Sequence, residues 1–180
     1  MKKINYLVFL LLIEICSVKA QSVKENINQG FGFGYGIAQY QNDFGMGLNL
    51  VSPTFINNNV AVRLKGQLMF HQHLSEGTTI WSPYSNVSIG LIGFGGFVGE
   101  YIRLYGEGGM IALIPNEIMS SESLVLGGYG VFGFEFFFAR FGNYFIEIGG
   151  VGSAARANNL PLSPIYSNGM TVSVGFRFFL

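Results

Sequence analysis

The sequence predicts an all-β chain, an eight-stranded antiparallel up-and-down transmembrane β-barrel. Three observations predict it. Apolar residues alternate with small or polar ones in stretch after stretch, the period-two pattern that sends successive side chains to opposite faces of a strand. Only 11% of the chain is charged, against roughly 25% in an ordinary globular domain. Beyond the first twenty residues, no apolar run reaches the ~18 residues of a spanning helix. A chain this apolar can still cross lipid as a closed barrel, whose backbone hydrogen bonds all run between strands.

The chain divides into two parts. Residues 1–20 read as a cleaved secretory signal peptide: a basic MKK start, the apolar Tyr6–Ile13 and a Val18-Lys19-Ala20 cleavage site. Cys16, the one cysteine, goes with that segment. The rest, 21–180, is a single barrel domain. Without Lys2, Lys3, Lys19 and Glu14, the ten basic and ten acidic residues become seven and nine, a net charge of −2. So weak a charge, with no basic patch, excludes nucleic acid as a partner, and a cysteine-free domain excludes disulfides and thiol chemistry.

The strands come in order. Phe31, Phe33, Tyr35 and Ile37 alternate with Gly30, Gly32, Gly34 and Gly36, and Phe44, Met46, Leu48 and Leu50 alternate with Gly45, Gly47 and Asn49. Over 60–71, Val60, Val62, Leu64, Leu68 and Phe70 oppose Arg63, Lys65 and Gln67. Strands four to seven are expected at 84–94, 100–113, 124–138 and 144–153. The eighth is the clearest: Met170, Val172, Val174, Phe176, Phe178 and Leu180 share one face, and Thr171, Ser173, Gly175, Arg177 and Phe179 the other. Connections 73–83, 114–123 and 154–169 are expected as outer loops, with short inner turns at 95–99 and 139–143. Tyr40–Asp43 is short for an outer loop, and Ser52–Asn59 is long for an inner turn.

The terminal TVSVGFRFFL and the hairpin GVFGFEFFFARFGNYFIEIGG (130–150) resemble the small outer-membrane β-barrel proteins of Gram-negative bacteria, of the eight-stranded OmpA/OmpX-like kind. The resemblance implies residence in the cell outer membrane, contact with its lipid and lipopolysaccharide, and a monomeric barrel without enzymatic activity. It also implies recognition by the barrel-assembly machinery. Members of the family often end on an outward-facing aromatic. Here Leu180 is last, with Phe178 and Phe176 on its face, and these three form the expected assembly signal.

One motif points elsewhere. In LVLGGYGVFG, Gly128, Gly130 and Gly133 keep the G-x-G-x-x-G spacing of a dinucleotide site, and Glu147 stands nineteen positions after Gly128. That fold needs a helix after the third glycine. Gly133 is instead succeeded by FEFFFARFGNYF, seven aromatics in twelve residues, and then by the next strand. The spacing leaves room for a hairpin and none for a crossover helix, so these glycines are expected to relieve crowding in a narrow barrel wall, and no cofactor is expected.

With the apolar faces toward lipid, Arg63, Lys65, Arg103, Glu107, Glu135, Glu147 and Arg177 turn inward, and a paired network that plugs the lumen is expected. A gated ion path is the alternative use of those charges. A catalytic alternative rests on His71-Gln72-His73-Leu74-Ser75. His73 and Ser75 match the His-x-Ser pair of lipid A deacylases, with Glu76 as a possible third member. That family usually has Asn after the serine and places the pair nearer the C-terminus. His71 and His73 share a face but lack a third neighbouring ligand, so no metal site is expected. Trp81, Tyr84, Tyr40 and Tyr166 are expected as an interfacial aromatic girdle. A soluble periplasmic lipocalin-like barrel would invert the faces, apolar inside and charged outside.

Overall fold

The computed structural model of the protein describes residues 30–75 and 77–180. The expected signal peptide and Glu76 lie outside the described residues. Eight strands form: β1 (Gly32–Tyr40), β2 (Asp43–Val51), β3 (Val60–Ser75), β4 (Thr78–Val98), β5 (Ile102–Ile114), β6 (Val125–Ala139), β7 (Gly142–Ser153) and β8 (Gly169–Phe179). Each pairs antiparallel with the next, and β1 pairs with β8 from Gly32↔Phe179 to Tyr40↔Thr171, so the sheet closes on itself. Closure leaves the wall no unpaired backbone edge.

The alternation settles which face goes where. Phe33, Ile37, Leu48, Leu64, Leu91, Met110, Phe132, Ile148 and Phe176 are exposed on the outer wall, while Arg63, Glu107, Glu135, Glu147 and Arg177 are buried inside. That is the reverse of a lipocalin, and it rules out the inverted arrangement. No helix succeeds Gly133: β6 runs on to Ala139 and turns back into β7, pairing Gly133 with Glu147. The dinucleotide reading ends there.

Two connections differ from expectation. The stretch 73–83 is no loop. β3 and β4 continue to Ser75 and Thr78 and pair residue by residue, His73↔Ile80 and Ser75↔Thr78, in a hairpin closed by Gly77 at φ +78. The β-branched and aromatic run Thr78-Thr79-Ile80-Trp81 favours that ladder, and polar side chains are no obstacle to a strand that stands clear of the ring. Beyond Asp43↔His71, β3 has no further β2 partner, and β4 has no β5 partner before Ser85↔Ile114, so the hairpin rises beyond the ring. At the other end β4 extends to Val98 through a bulge between Phe94 and Phe97.

Loops 115–124 and 154–168 fold across the barrel mouth and do not hang free. The Asn159 amide donates to the Met119 carbonyl at 3.1 Å, Asn158 Nδ2 to Ser121 Oγ at 2.8 Å, and Asn159 Nδ2 to the Glu117 carbonyl at 2.7 Å. Their own Met119, Ala155, Ala157 and Tyr166 are buried. The aromatic girdle also needs correction. Trp81 is exposed, but Tyr40, Tyr84 and Tyr166 are 6%, 2% and 1% exposed and pack within the mouth. Tyr40 and Tyr84 fall on the inward phase of their strands, where a phenol can reach a buried acceptor.

Candidate functional site

The lumen is stacked in layers. At the end that carries the β6–β7 turn, Phe137 and Phe179 pack with Phe97 and Tyr101, and Val51, Ala61, Ile92 and Tyr105 lie beside Phe94. At the mouth, Tyr40, Met69, Tyr84, Leu113, Met119 and Tyr166 form a second apolar cluster. Charged groups occupy the level between.

Register explains how these large groups fit inside so narrow a ring. Tyr105, Gly133 and Glu147 are neighbours in one row across β5, β6 and β7. The Tyr105 ring lies over Gly133, and its hydroxyl donates to Glu147 Oε1 at 2.6 Å. A Cβ on Gly133 would sit 2.2 Å from the ring. The same device recurs. Phe145 lies over Gly175 and Gly36, Met69 over Gly45, and Tyr129 reaches Gly90. Gly128 and Gly130 face outward and have only distant neighbours. The G-x-G-x-x-G motif is therefore part floor for a tyrosine and part outer wall.

The seven inward charges meet one another, Arg103 and Glu135 on adjacent strands and the other pairs from strands two or more apart. Arg103, directly opposite Glu135, donates from Nε to Oε2 at 2.8 Å. Arg177 binds the other Glu135 oxygen through Nη1, and its Nε donates to Asn49 Oδ1 at 3.2 Å across Gly34. Arg63 Nη2 contacts Glu107 and lies 2.5 Å from Glu147 Oε1, and Lys65 Nζ lies 3.3 Å from Glu107 Oε1. Rings cover the cations: Lys65 Nζ sits 4.4 Å from the centre of Tyr129, and the Arg103 guanidinium 3.8 Å from that of Phe94. The tyrosines and Asn49 complete the network, yet sequence reasoning did not name them for it; their inward phase was the available signal.

At the mouth, Asp43 is the hub that sequence reasoning missed. His71 Nδ1 lies 2.5 Å from its Oδ1, and its Oδ2 accepts from the Tyr84 hydroxyl at 2.7 Å and the Ser167 amide at 2.6 Å. One buried carboxylate thus ties β2, β3 and β4 to loop 154–168. His73 Nε2 bonds Ser82 Oγ at 2.9 Å, across the hairpin. Ser75 ends β3 opposite Thr78. The histidine rings stack at 6.2 Å, so the Asp–His pair and the His–Ser pair sit on two different histidines. A triad needs one imidazole bound to both. Among the described residues no group of three His, Cys, Asp or Glu side chains is arranged to hold a metal.

The expected assembly-signal residues occupy the outside: Phe176 and Phe178 on the wall of β8, and Leu180 just past its end, its amide bonded to the Phe31 carbonyl at 2.8 Å.

No protein-family model matches the chain, and no curated protein matches it. Among solved structures, the chain is similar to the N-terminal β-barrel domain of Pseudomonas aeruginosa OprF, with a TM-score of 0.59 and 12% identity over 84% of this chain and 97% of that one. The likeness is one of fold: eight antiparallel strands closed in a ring.

Proposed function

We propose that the protein is a non-enzymatic outer-membrane β-barrel with a plugged polar lumen and a structural or surface-interaction role. The observation that carries this reading is the opposition of the two faces, an apolar belt outside and mutually paired ions inside. An apolar exterior lowers its free energy by contact with acyl chains, whereas charged groups on a lipid-facing wall would be destabilising by about 2–4 kcal/mol each for Arg or Lys at mid-depth. Apolar clusters above and below the ion layer support a closed lumen. The similarity to an OprF barrel domain supports the outer membrane as the location. The lipopolysaccharide contacts, the monomeric state and the recognition of Phe176, Phe178 and Leu180 by the assembly machinery belong to the same proposal.

The test joins three measurements. The protein should stay with outer membranes through a carbonate wash, run faster on a gel when unboiled, and give no conductance steps in planar bilayers. Recovery in a soluble fraction refutes the location, and discrete conductance refutes the plug. The contact between His73 and Ser82 favours a second reading, ester hydrolysis of a lipid, because a serine bonded to an imidazole is the minimum of a nucleophile and its base. Release of fatty acid from lipid A by the purified barrel, lost in Ser82→Ala, would establish it.

A further inference from the structure

We propose that the projecting β3–β4 hairpin captures an extended, uncharged segment of a partner protein, which adds to the free edge of β4 as a further strand. The proposal deepens the surface-interaction reading above and rests on it.

The free edge follows from the pairing. Along an antiparallel strand, residues turn their N–H and C=O groups alternately to one neighbour and to the other. The Gln72 amide donates to the Asn42 carbonyl at 3.3 Å, on the β2 side. Its partner across the hairpin, Trp81, therefore turns its own N–H and C=O away from β3. Thr79 and Pro83 share that phase. β5 takes up such groups only from Ser85↔Ile114 onward. Past Ile114 the chain runs into Pro115, which has no N–H to continue a ladder. Loop 115–124 then crosses the mouth to Asn158 and Asn159. Among the described residues no strand stands beside Thr79–Pro83. The amides of Thr79 and Trp81 and the carbonyls of Thr79, Trp81 and Pro83 are left facing outward.

The surroundings of that edge define its occupant. Solitary edges are normally blunted by charge, by proline or by a covering element. Pro83 blunts only the base of this one. Residues 77–84 carry no charge, and Thr78, Thr79, Ile80 and Trp81 are exposed in succession, so both faces of the ribbon are open. A row of amides and carbonyls is complemented by another extended backbone. With Trp81 on one face and Ile80 on the other, β-branched and aromatic side chains find cross-strand partners, and charged ones find none. A second copy of the chain is poorly matched. Two barrels in one membrane raise their hairpins the same way, so their β4 edges meet only in parallel, the less stable pairing. A different chain is free to run antiparallel to β4, in line with β5.

Trp81 is the one tryptophan of the chain, so its fluorescence reports on the edge directly. A capped seven-residue peptide of alternating threonine and valine, added to the detergent-folded barrel, should shift that emission saturably. At saturation it should slow hydrogen exchange at the Thr79 and Trp81 amides by about tenfold or more. The same peptide with its amides N-methylated keeps the side chains but loses the donors, and should not bind. Thr79→Pro removes one edge donor and no bond to β3, and should weaken binding about tenfold. Should that variant lose the hairpin, the methylated peptide decides the matter on the wild type. Equal binding of the two peptides, or no shift up to the solubility limit of the first, overturns the proposal. So does cross-linking of barrels through β4 without peptide, which makes the occupant a second copy. Fractionation tests the membrane location separately, so failure here leaves the barrel in its membrane with an unused edge.

Discussion

Substituting Gly133 by alanine tests the row-by-row account of the interior more sharply than deleting any charge. The added Cβ would stand 2.2, 2.5 and 2.6 Å from Cζ, Cε1 and the hydroxyl oxygen of Tyr105. Something must move, and the backbone is held by pairing to Tyr105 on one side and Glu147 on the other. The ring is 1% exposed, packs near Phe94 at 6.3 Å and is anchored by its bond to Glu147. Tilting it away adds about 1–3 kcal/mol of overpacking to about 1.5–3 kcal/mol for the lost bond to a carboxylate. Alanine's entropic advantage over glycine in a strand, roughly 0.5–1 kcal/mol, offsets part of this. The expected net loss is about 2–5 kcal/mol. Equilibrium urea unfolding in detergent micelles, read by gel mobility, measures it. Gly128→Ala and Gly130→Ala, whose new Cβ atoms meet nothing closer than 3.7 and 3.8 Å, should be neutral or slightly stabilising. Tyr105→Ala should largely remove the Gly133→Ala penalty in a double-mutant cycle. A stable Gly133→Ala barrel, or three glycines that respond alike, would refute the reasoning.

Other contacts carry their own expected outcomes. Glu135→Gln leaves Arg103 and Arg177 without their shared carboxylate and should lose about 3–5 kcal/mol in the same unfolding measurement, whereas exposed Glu122→Gln should change little. Asp43→Asn weakens the tie to Ser167, so limited proteolysis should cut loop 154–168 at least several-fold faster, with the barrel's gel mobility unchanged. Burial, then the Glu122 and Asp43 carboxylates, push the Tyr166 phenol up to about 12. A folded-state value above the unfolded one near 10 stabilises below pH ~10, and that contribution is lost as pH rises to about 12. Ultraviolet titration of wild type against Tyr166→Phe should show one phenol fewer ionising near pH 12.

The alternation made most of the barrel legible. On β8 the Met170-to-Leu180 series fixed which side faces out of the ring, and Arg177 had to turn inward because its neighbours Phe176 and Phe178 turned outward. The projecting hairpin was illegible for a physical reason. Beyond the closed ring there is no lumen to impose alternating faces, and 73–83 reads like any polar loop although its backbone ladder continues. Inward charges were nameable one by one, but their partners depend on register. Nothing in the chain places Tyr105 over Gly133 or Arg177 beside Asn49 until neighbouring strands are aligned. Asp43 was passed over because a carboxylate beside a short turn is usually solvated, and only the fold of loop 154–168 buries it.

Arg177 spans the seam. From β8 it reaches Glu135 two strands back and Asn49 on the far side of β1, contacts separated by 42 and 128 residues along the chain. A sheet still open between β1 and β8 would keep Arg177 beside Glu135, since β6, β7 and β8 are consecutive, but would hold its Nε away from Asn49. Zipping β1 to β8 therefore gives that guanidinium its last acceptor in the same step that seals the cylinder, so one side chain registers whether the ring is closed.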